Sequence, residues 1–354
     1  MKMIKQLKIQ AIDLLKTLIA TPSFSGEEQA TAQLIKKWFT KNQIEFESVN
    51  NNVWAKNKYF KASKKTILLN SHHDTVKPNK AYTKNPFTPE VFEGKLYGIG
   101  SNDAGGCLVS LLATFAYFYE QPNLNYNFVI VASAEEESSG QNGLNSMLHI
   151  IPPIDFAIIG EPTLMKLAIA EKGLLVLDCK AHGTPGHAAH GIADNAIYNA
   201  IEAIKWFQNY EFEKISETLG KVKMTVTQIE AGSQHNVIPA NCNFVVDVRV
   251  TDAYTNQEVL DLVKANVKSE VTARSMRLNS SSIPKNHPIV QAGIKLGLET
   301  YGSPTLSDQS VLSCASLKLG PGDSLRSHTA DEFIYLQEIE EGIDLYIKIL
   351  NEIV

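Results

Sequence analysis

Four short apolar runs constrain this chain more than any other feature: residues 66–69 (TILL), 127–132 (NFVIVA), 156–159 (FAII) and 317–319 (LKL). Each is shorter than a core helix, so each reads as a strand buried within a sheet. His72, Glu137 and Glu161 come soon after the first three, and His328 follows the fourth across a loop. Asp103 sits instead in a glycine-rich turn, 98–106 (GIGSNDAGG). Open α/β sheets bind ligands beyond the carboxyl ends of their strands. Acids and histidines placed there repeatedly predict one convergent site.

The surrounding pattern supplies the layers. Residues 1 to about 170 alternate helices with buried strands, as a three-layer α/β domain would. One helix is expected over 26–42, and the segment 104–120 is too apolar to lie anywhere but across the sheet. Near Gly173 the pattern changes to strand (174–182), helix (195–207), strands near 222–229 and 244–250, helix (256–267) and strand (271–278). That βαββαβ order is the ferredoxin-like unit, complete in itself and therefore an insertion. Residues 279–284 form the return linker, after which helices at 287–301 and 336–353 complete the first domain. The expected division is 1–173 with 283–354 for the first domain and 174–282 for the second; 354 residues exceed one comfortable core.

Composition excludes several classes. A net charge of −5 leaves no basic footprint for nucleic acid or an anionic membrane surface. The opening stretch mimics a signal peptide, yet Asp13 and Lys16 interrupt it and its apolar residues fall on one helical face. No run approaches a membrane span. Cys107, Cys179, Cys242 and Cys314 lie about 60 to 70 residues apart, without zinc-finger or disulfide-scaffold spacing. Free thiols in the cytoplasm are expected.

In 71–75 (SHHDT), His72 and Asp74 share one face of an extended chain while His73 turns away. Asp74 is thereby placed to hold the second nitrogen of His72 and fix its tautomer. The triplet Glu135, Glu136 and Glu137 would repel itself unless a cation neutralised it. Charge supports two metals: two Zn²⁺ against Asp103, Glu137, Glu161 and a bridging hydroxide give a neutral core, with His72 and His328 as neutral ligands. Glu136, spare and adjacent, is the expected general base. A dinucleotide reading of the glycine turn fails because its third glycine is replaced by Asp103, which would repel a pyrophosphate.

In their order along nearly the whole chain these motifs resemble one family of di-zinc hydrolases. It includes acetylornithine deacetylase, succinyl-diaminopimelate desuccinylase, aminoacylases and glutamate carboxypeptidases. The resemblance implies a zinc-exopeptidase-like α/β catalytic domain carrying a ferredoxin-like lid and dimerisation domain. It implies one zinc held by His72 and Glu161, another by Glu137 and His328, and Asp103 as the bridge, with Co²⁺ a possible substitute. It also implies Glu136 as general base, Asp74 as partner to His72, and a cis peptide after Asp103. In 182–187 (HGTPGH), His187 matches a lid histidine that stabilises the oxyanion in the neighbouring subunit of a homodimer. Asn236 and Arg249 resemble substrate-binding groups, and His182, His190 and His235 are expected either to support such groups or to be structural.

The overall likeness is to the shorter bacterial acetylornithine deacetylase-like enzymes of arginine biosynthesis. That implies an N-acyl amino acid as substrate, N-acetyl-ornithine or N-acetyl-citrulline, with Arg249 or Arg326 suited to the α-carboxylate. A desuccinylase and a dipeptidase or carboxypeptidase are the alternatives.

Overall fold

The computed structural model describes residues 2–190 and 194–354. Two compact units emerge: Met1–Ile169 with Ser282–Tyr301 and Ser307–Val354, and Ala170–Ser281 with Gly302–Leu306. Residues 191–193, within the expected second domain, lie outside the described residues.

The first unit is built on four parallel strands, β1 (Thr66–His72), β2 (Asn127–Ser133), β3 (Phe156–Ile159) and β4 (Ala315–Lys318). They lie in the order β2-β1-β3-β4, so their carboxyl ends are neighbours. Antiparallel strands flank them: Asn52–Lys56 beside β2, and Leu167–Glu171 beside β4.

The central runs are mostly apolar because both of their faces are buried. Ile67, Leu69, Phe128, Ile130, Phe156 and Ile158 join one core with helices Lys2–Ile19, Gly106–Tyr119 and Leu336–Asn351. Leu68, Val129, Val131, Ala157 and Ile159 point the other way, onto Trp54, Leu144, Met147 and Ile151. This is the three-layer α/β arrangement, with the expected transverse helix running Gly106–Tyr119.

One expected helix is shorter than its periodicity suggested. It spans Pro288–Lys295 rather than 287–301. Gly297, at φ +86°, ends it, and Leu298 N–H returns to Gly293 O at 3.0 Å, closing a left-handed cap.

The second unit has strand Gly173–His182, helix Ala196–Asn209, strands Lys223–Ala231 and Asn241–Val250, helix Asn256–Asn266 and strand Glu270–Ala273. The sheet order is 223–231, 241–250, 173–182, 270–273, antiparallel throughout, which is the ferredoxin-like arrangement. Leu175, Leu177, Cys179 and Ala181 face the two helices, and the alternate residues of that strand remain partly open. All four cysteines are free. Among the described residues, no helix is long and apolar enough to cross a membrane.

Phe128 is fully buried and stacks on Phe118 with centroids 5.0 Å apart, so it ties β2 to the transverse helix. Phe128→Ala is expected to cost about 3–5 kcal/mol, measured by denaturant unfolding. A loss under about 1 kcal/mol would show that this face repacks freely.

Candidate metal centre

The parallel strand ends deliver four of the five expected ligands to one place. His72 is the last residue of β1, Glu137 lies four residues beyond β2, Glu161 two beyond β3, and His328 follows β4. Asp103 arrives from the turn Ser101–Gly105, and its peptide bond to Ala104 is cis.

Asp103 lies between the two histidines. Its Oδ1 is 3.4 Å from His72 Nε2, and its Oδ2 is 3.6 Å from His328 Nε2. Glu161 Oε1 lies 3.8 Å from His72 Nε2, while both Glu137 oxygens lie within 3.1 Å of His328 Nε2. Glu136 Oε2 reaches to 3.9 Å from His72 Nε2. One ligand atom each from His72, Asp103 and Glu137 falls within 4.8 Å of the others. The donors are imidazole nitrogen and carboxylate oxygen only, a set that suits borderline divalent ions such as zinc. Three carboxylates and two imidazoles converging in this way fit a divalent metal.

The electrostatics of the metal-free fold express the same crowding. Burial, with the charges of Glu161, Asp308 and Glu137, pushes the Glu136 carboxyl well up despite the nearby His72. Burial and the charge of Asp103 raise Glu161 to about 8. Burial also pushes Asp103 up, yet its hydrogen bond to His72 and that imidazole's charge hold it below the usual range. The hydrogen bond from His328 to Glu137 raises the imidazole to about 9.

Asp74 does more than hold His72. Its backbone carbonyl is the nearer acceptor for His72 Nδ1, at 3.0 Å, with the carboxylate at 3.4 Å. The carboxylate accepts the backbone N–H groups of Glu136 and Glu137, each at 3.1 Å, and the Ser25 hydroxyl at 2.6 Å. Against the burial that would raise it, contact with His72 holds Asp74 at about 2.

The acidic triplet divides differently from its appearance in sequence. Glu135, at φ +55°, sends its carboxylate to the backbone and side chain of Asn142, both at 3.0 Å, and takes no part in the cluster. Two acids escaped sequence reasoning. Fully buried Glu28 accepts the N–H of Glu135 at 3.2 Å. Asp308, 8% exposed, accepts the Ser133 hydroxyl at 2.6 Å at the end of β2, and burial lifts it to about 6. No motif marks either one; their only sequence signal is a carboxylate in otherwise unremarkable surroundings.

The remaining expected residues belong to the second unit. His187 pairs in a two-stranded ribbon with Val237, and the neighbouring Ala188 N–H bonds to Asn236 O at 3.0 Å, so His187 and Asn236 are brought together. Both are exposed. Arg249 is forked onto Asp247 at 2.9 and 3.1 Å. In the first unit Arg326 is forked onto Glu338 at 2.7 and 2.9 Å. Both guanidinium groups proposed for a substrate carboxylate are therefore already engaged by acids of their own unit. His182 is held by Asn241 and Glu270, as a structural histidine would be.

Raised proton affinities carry a sign. Glu161 at about 8 and His328 at about 9 keep protons in the metal-free fold that an unfolded chain sheds near 4.5 and 6.5. The folded state then binds more protons than the unfolded one, so stability falls as pH rises through this range. Chelator-treated protein is expected to lose thermal stability between pH 6.5 and 9, and zinc, by displacing those protons, to restore more at high pH than at low. Calorimetry in buffers of different ionisation enthalpy should register proton release on zinc binding at neutral pH. A metal-free midpoint that climbs across the range contradicts this account.

A family model described as Peptidase family M20/M25/M40 matches residues 68–352. Among solved structures, the chain is similar to aminopeptidase PepT from Bacillus cereus, at 17% identity and TM-score 0.76 over 98% of each chain. It is similar to a tripeptidase from Staphylococcus aureus, at 19% identity and TM-score 0.76 over 97% of each chain. An M20 family metallo-carboxypeptidase from Sulfolobus solfataricus gives 17% identity and TM-score 0.74, covering 97% of this chain and 98% of that one. At these identities the likeness shows a shared fold. The family match spans every residue from His72 to His328, and the chain belongs to the peptidase family M20/M25/M40.

Proposed function

We propose that this hydrolase is a di-zinc amidohydrolase that removes the acyl group, acetyl first, from an amino acid such as N2-acetyl-L-ornithine or N-acetyl-L-citrulline. The setting would be arginine biosynthesis in the cytoplasm, where free thiols persist. One observation carries the chemistry: a partly buried carboxylate outside the ligand set, that of Glu136, stands 3.9 Å from His72 beside the converging ligands. The substrate class rests on the strings SNDAGG (101–106), ASAEEE (132–137), GEPT (160–163), AEKG (170–173) and RSHTADEF (326–333), which resemble the bacterial acetylornithine deacetylase-like enzymes.

His72 and Glu161 would hold one zinc, Glu137 and His328 the other, and Asp103 would be shared; cobalt is a natural substitute. When bound, the ions supply Lewis acidity toward the scissile carbonyl and acidify a water. Proton transfer falls to the chain itself. Glu136 takes a proton from the attacking water on a carboxylate oxygen and returns it to the departing amine nitrogen. Asp74 keeps that carboxylate in place by holding the backbone N–H of Glu136. By the resemblance, His187 would reach the neighbouring subunit's site and donate a hydrogen bond to the developing oxyanion there; Asn236 and Arg249 resemble substrate-binding groups, and Arg249 would serve only after loosening from Asp247. Glu136→Gln is expected to lower turnover by roughly 10²–10⁴-fold with zinc content unchanged, measured by steady-state assay and metal analysis. Undiminished turnover removes Glu136 from the role.

A second reading, dipeptidase or related peptidase, draws on the solved structures described as an aminopeptidase and a tripeptidase. Amine release from N-acetyl and N-succinyl forms of ornithine, citrulline and diaminopimelate, set against dipeptides and repeated with chelator, separates the two. Higher kcat/KM on dipeptides than on any acyl amino acid selects the peptidase.

We also propose a homodimer through the second unit. Its strand Lys223–Ala231 lies at the edge of its sheet and carries exposed Ile229 (56%), and Tyr198 (67%) is exposed on the helix Ala196–Asn209. Light scattering behind size exclusion should give twice the chain mass; a monomer mass at micromolar concentration ends this proposal.

A further inference from the structure

Two side chains outside the ligand set govern where Asp103 and His328 stand relative to each other. The first is Glu332, four residues beyond His328 and 2% exposed. Its Oε1 accepts the backbone N–H of Asn102 at 2.8 Å and of Asp103 itself at 2.9 Å, and its Oε2 accepts that of Gly100 at 3.1 Å. Its carbonyl accepts Gly98 N–H at 3.0 Å, and the strand Phe333–Tyr335 continues the attachment by pairing with Lys95–Tyr97.

The second is Asn102, fully buried and adjacent to Asp103. Its Oδ1 accepts Asp323 N–H at 3.0 Å, and its Nδ2 donates to Asp323 O at 3.0 Å and to Ser327 Oγ at 3.4 Å. Gly322, at φ +91°, makes room, since a Cβ there would sit 2.5 Å from Asn102 Oδ1.

The segment 323–332 is thus fastened to the Asp103 turn at both ends, with His328 between the fastenings. His328 needs them. Its side chain is 53% exposed and its backbone lies at φ +60°, whereas His72 ends a central strand with its side chain 1% exposed. A ligand already held at its binding distance loses less freedom when the ion arrives, so groups that hold it act on affinity without touching the metal.

We infer that Asn102 and Glu332 are positioning residues of the metal centre, fixing the spacing of Asp103 and His328 and so the affinity of the metal site those two ligands share, more than that of the site at His72 and Glu161. This rests on the two-metal assignment above.

The test is zinc titration of the full chain, stripped with chelator, against a competing chromophoric chelator, with cobalt absorption as a second readout. Wild type should bind two equivalents, His328→Ala and His72→Ala marking which is which. Asn102→Ala and Glu332→Gln should weaken the equivalent lost in His328→Ala by roughly 10–100-fold. The other equivalent should stay within about threefold. Should Glu332→Gln fail to fold, Asn102→Ala and Asn102→Asp carry the comparison. Equal weakening of both equivalents, or none, in a folded Asn102 variant overturns the inference while leaving the two-metal assignment standing. Fewer than two equivalents in wild type overturns that assignment, and this inference with it.

Discussion

Four carboxylates, those of Asp103, Glu136, Glu137 and Glu161, share one largely buried space with two imidazoles, and their repulsion is the constraint to which the surrounding structure answers. The crowding shows in raised proton affinities, with burial and the charge of Asp103 lifting Glu161 to about 8 and the hydrogen bond to Glu137 lifting His328 to about 9. Divalent ions would relieve it, because each brings two charges to oxygens already oriented by the chain. Holding such a cluster together takes rigid supports. The parallel strand ends supply them, since four adjacent carboxyl termini present ligands from a sheet buried on both faces.

The supports are graded. His72 is part of a central strand and inherits the strand's order. Glu136 and Glu137 sit on a turn beyond β2, and that turn is held by the Asp74 carboxylate through two backbone N–H groups. His328 lies farthest out, on a segment tied at Asp323 and Glu332. The farther a ligand stands from the sheet, the more its position depends on side chains gripping backbone. A single theme recurs: buried Asp74, Glu28 and Glu332 all spend carboxylate oxygens on N–H groups of the site's turns.

That theme marks the boundary of what the sequence disclosed. The strands were legible because burial on both faces leaves an uninterrupted apolar run, and the second unit because its βαββαβ order repeats two simple periods. Four of the ligands were legible because each follows such a run with a group that metal chemistry uses, and Asp103 because it stands in a glycine-rich turn. Side-chain grips on distant backbone leave no such trace. Asn102 and Asp323, or Glu28 and Glu135, are far apart in sequence and meet only in the fold. Glu135 shows the converse, since three consecutive acids look equivalent until the local backbone turns one of them onto Asn142. The engagement of Arg249 by Asp247, by contrast, was available to be read, since residues two apart on a strand share a face.

The same accounting narrows the choice of general base. Asp74 is buried deeply, but its oxygens already accept three hydrogen bonds besides the contact with His72. Asp308 is committed to Ser133 at 2.6 Å. Glu332 is spent on three backbone N–H groups on the far side of the Asp103 turn. Asp103, Glu137 and Glu161 converge on the histidines in the manner of ligands. Among the acids described at the site, Glu136 combines a backbone fixed by Asp74 with a carboxylate that reaches to 3.9 Å from His72 beside the ligand cluster. A base that must first accept a proton and then surrender it to an amine needs that combination.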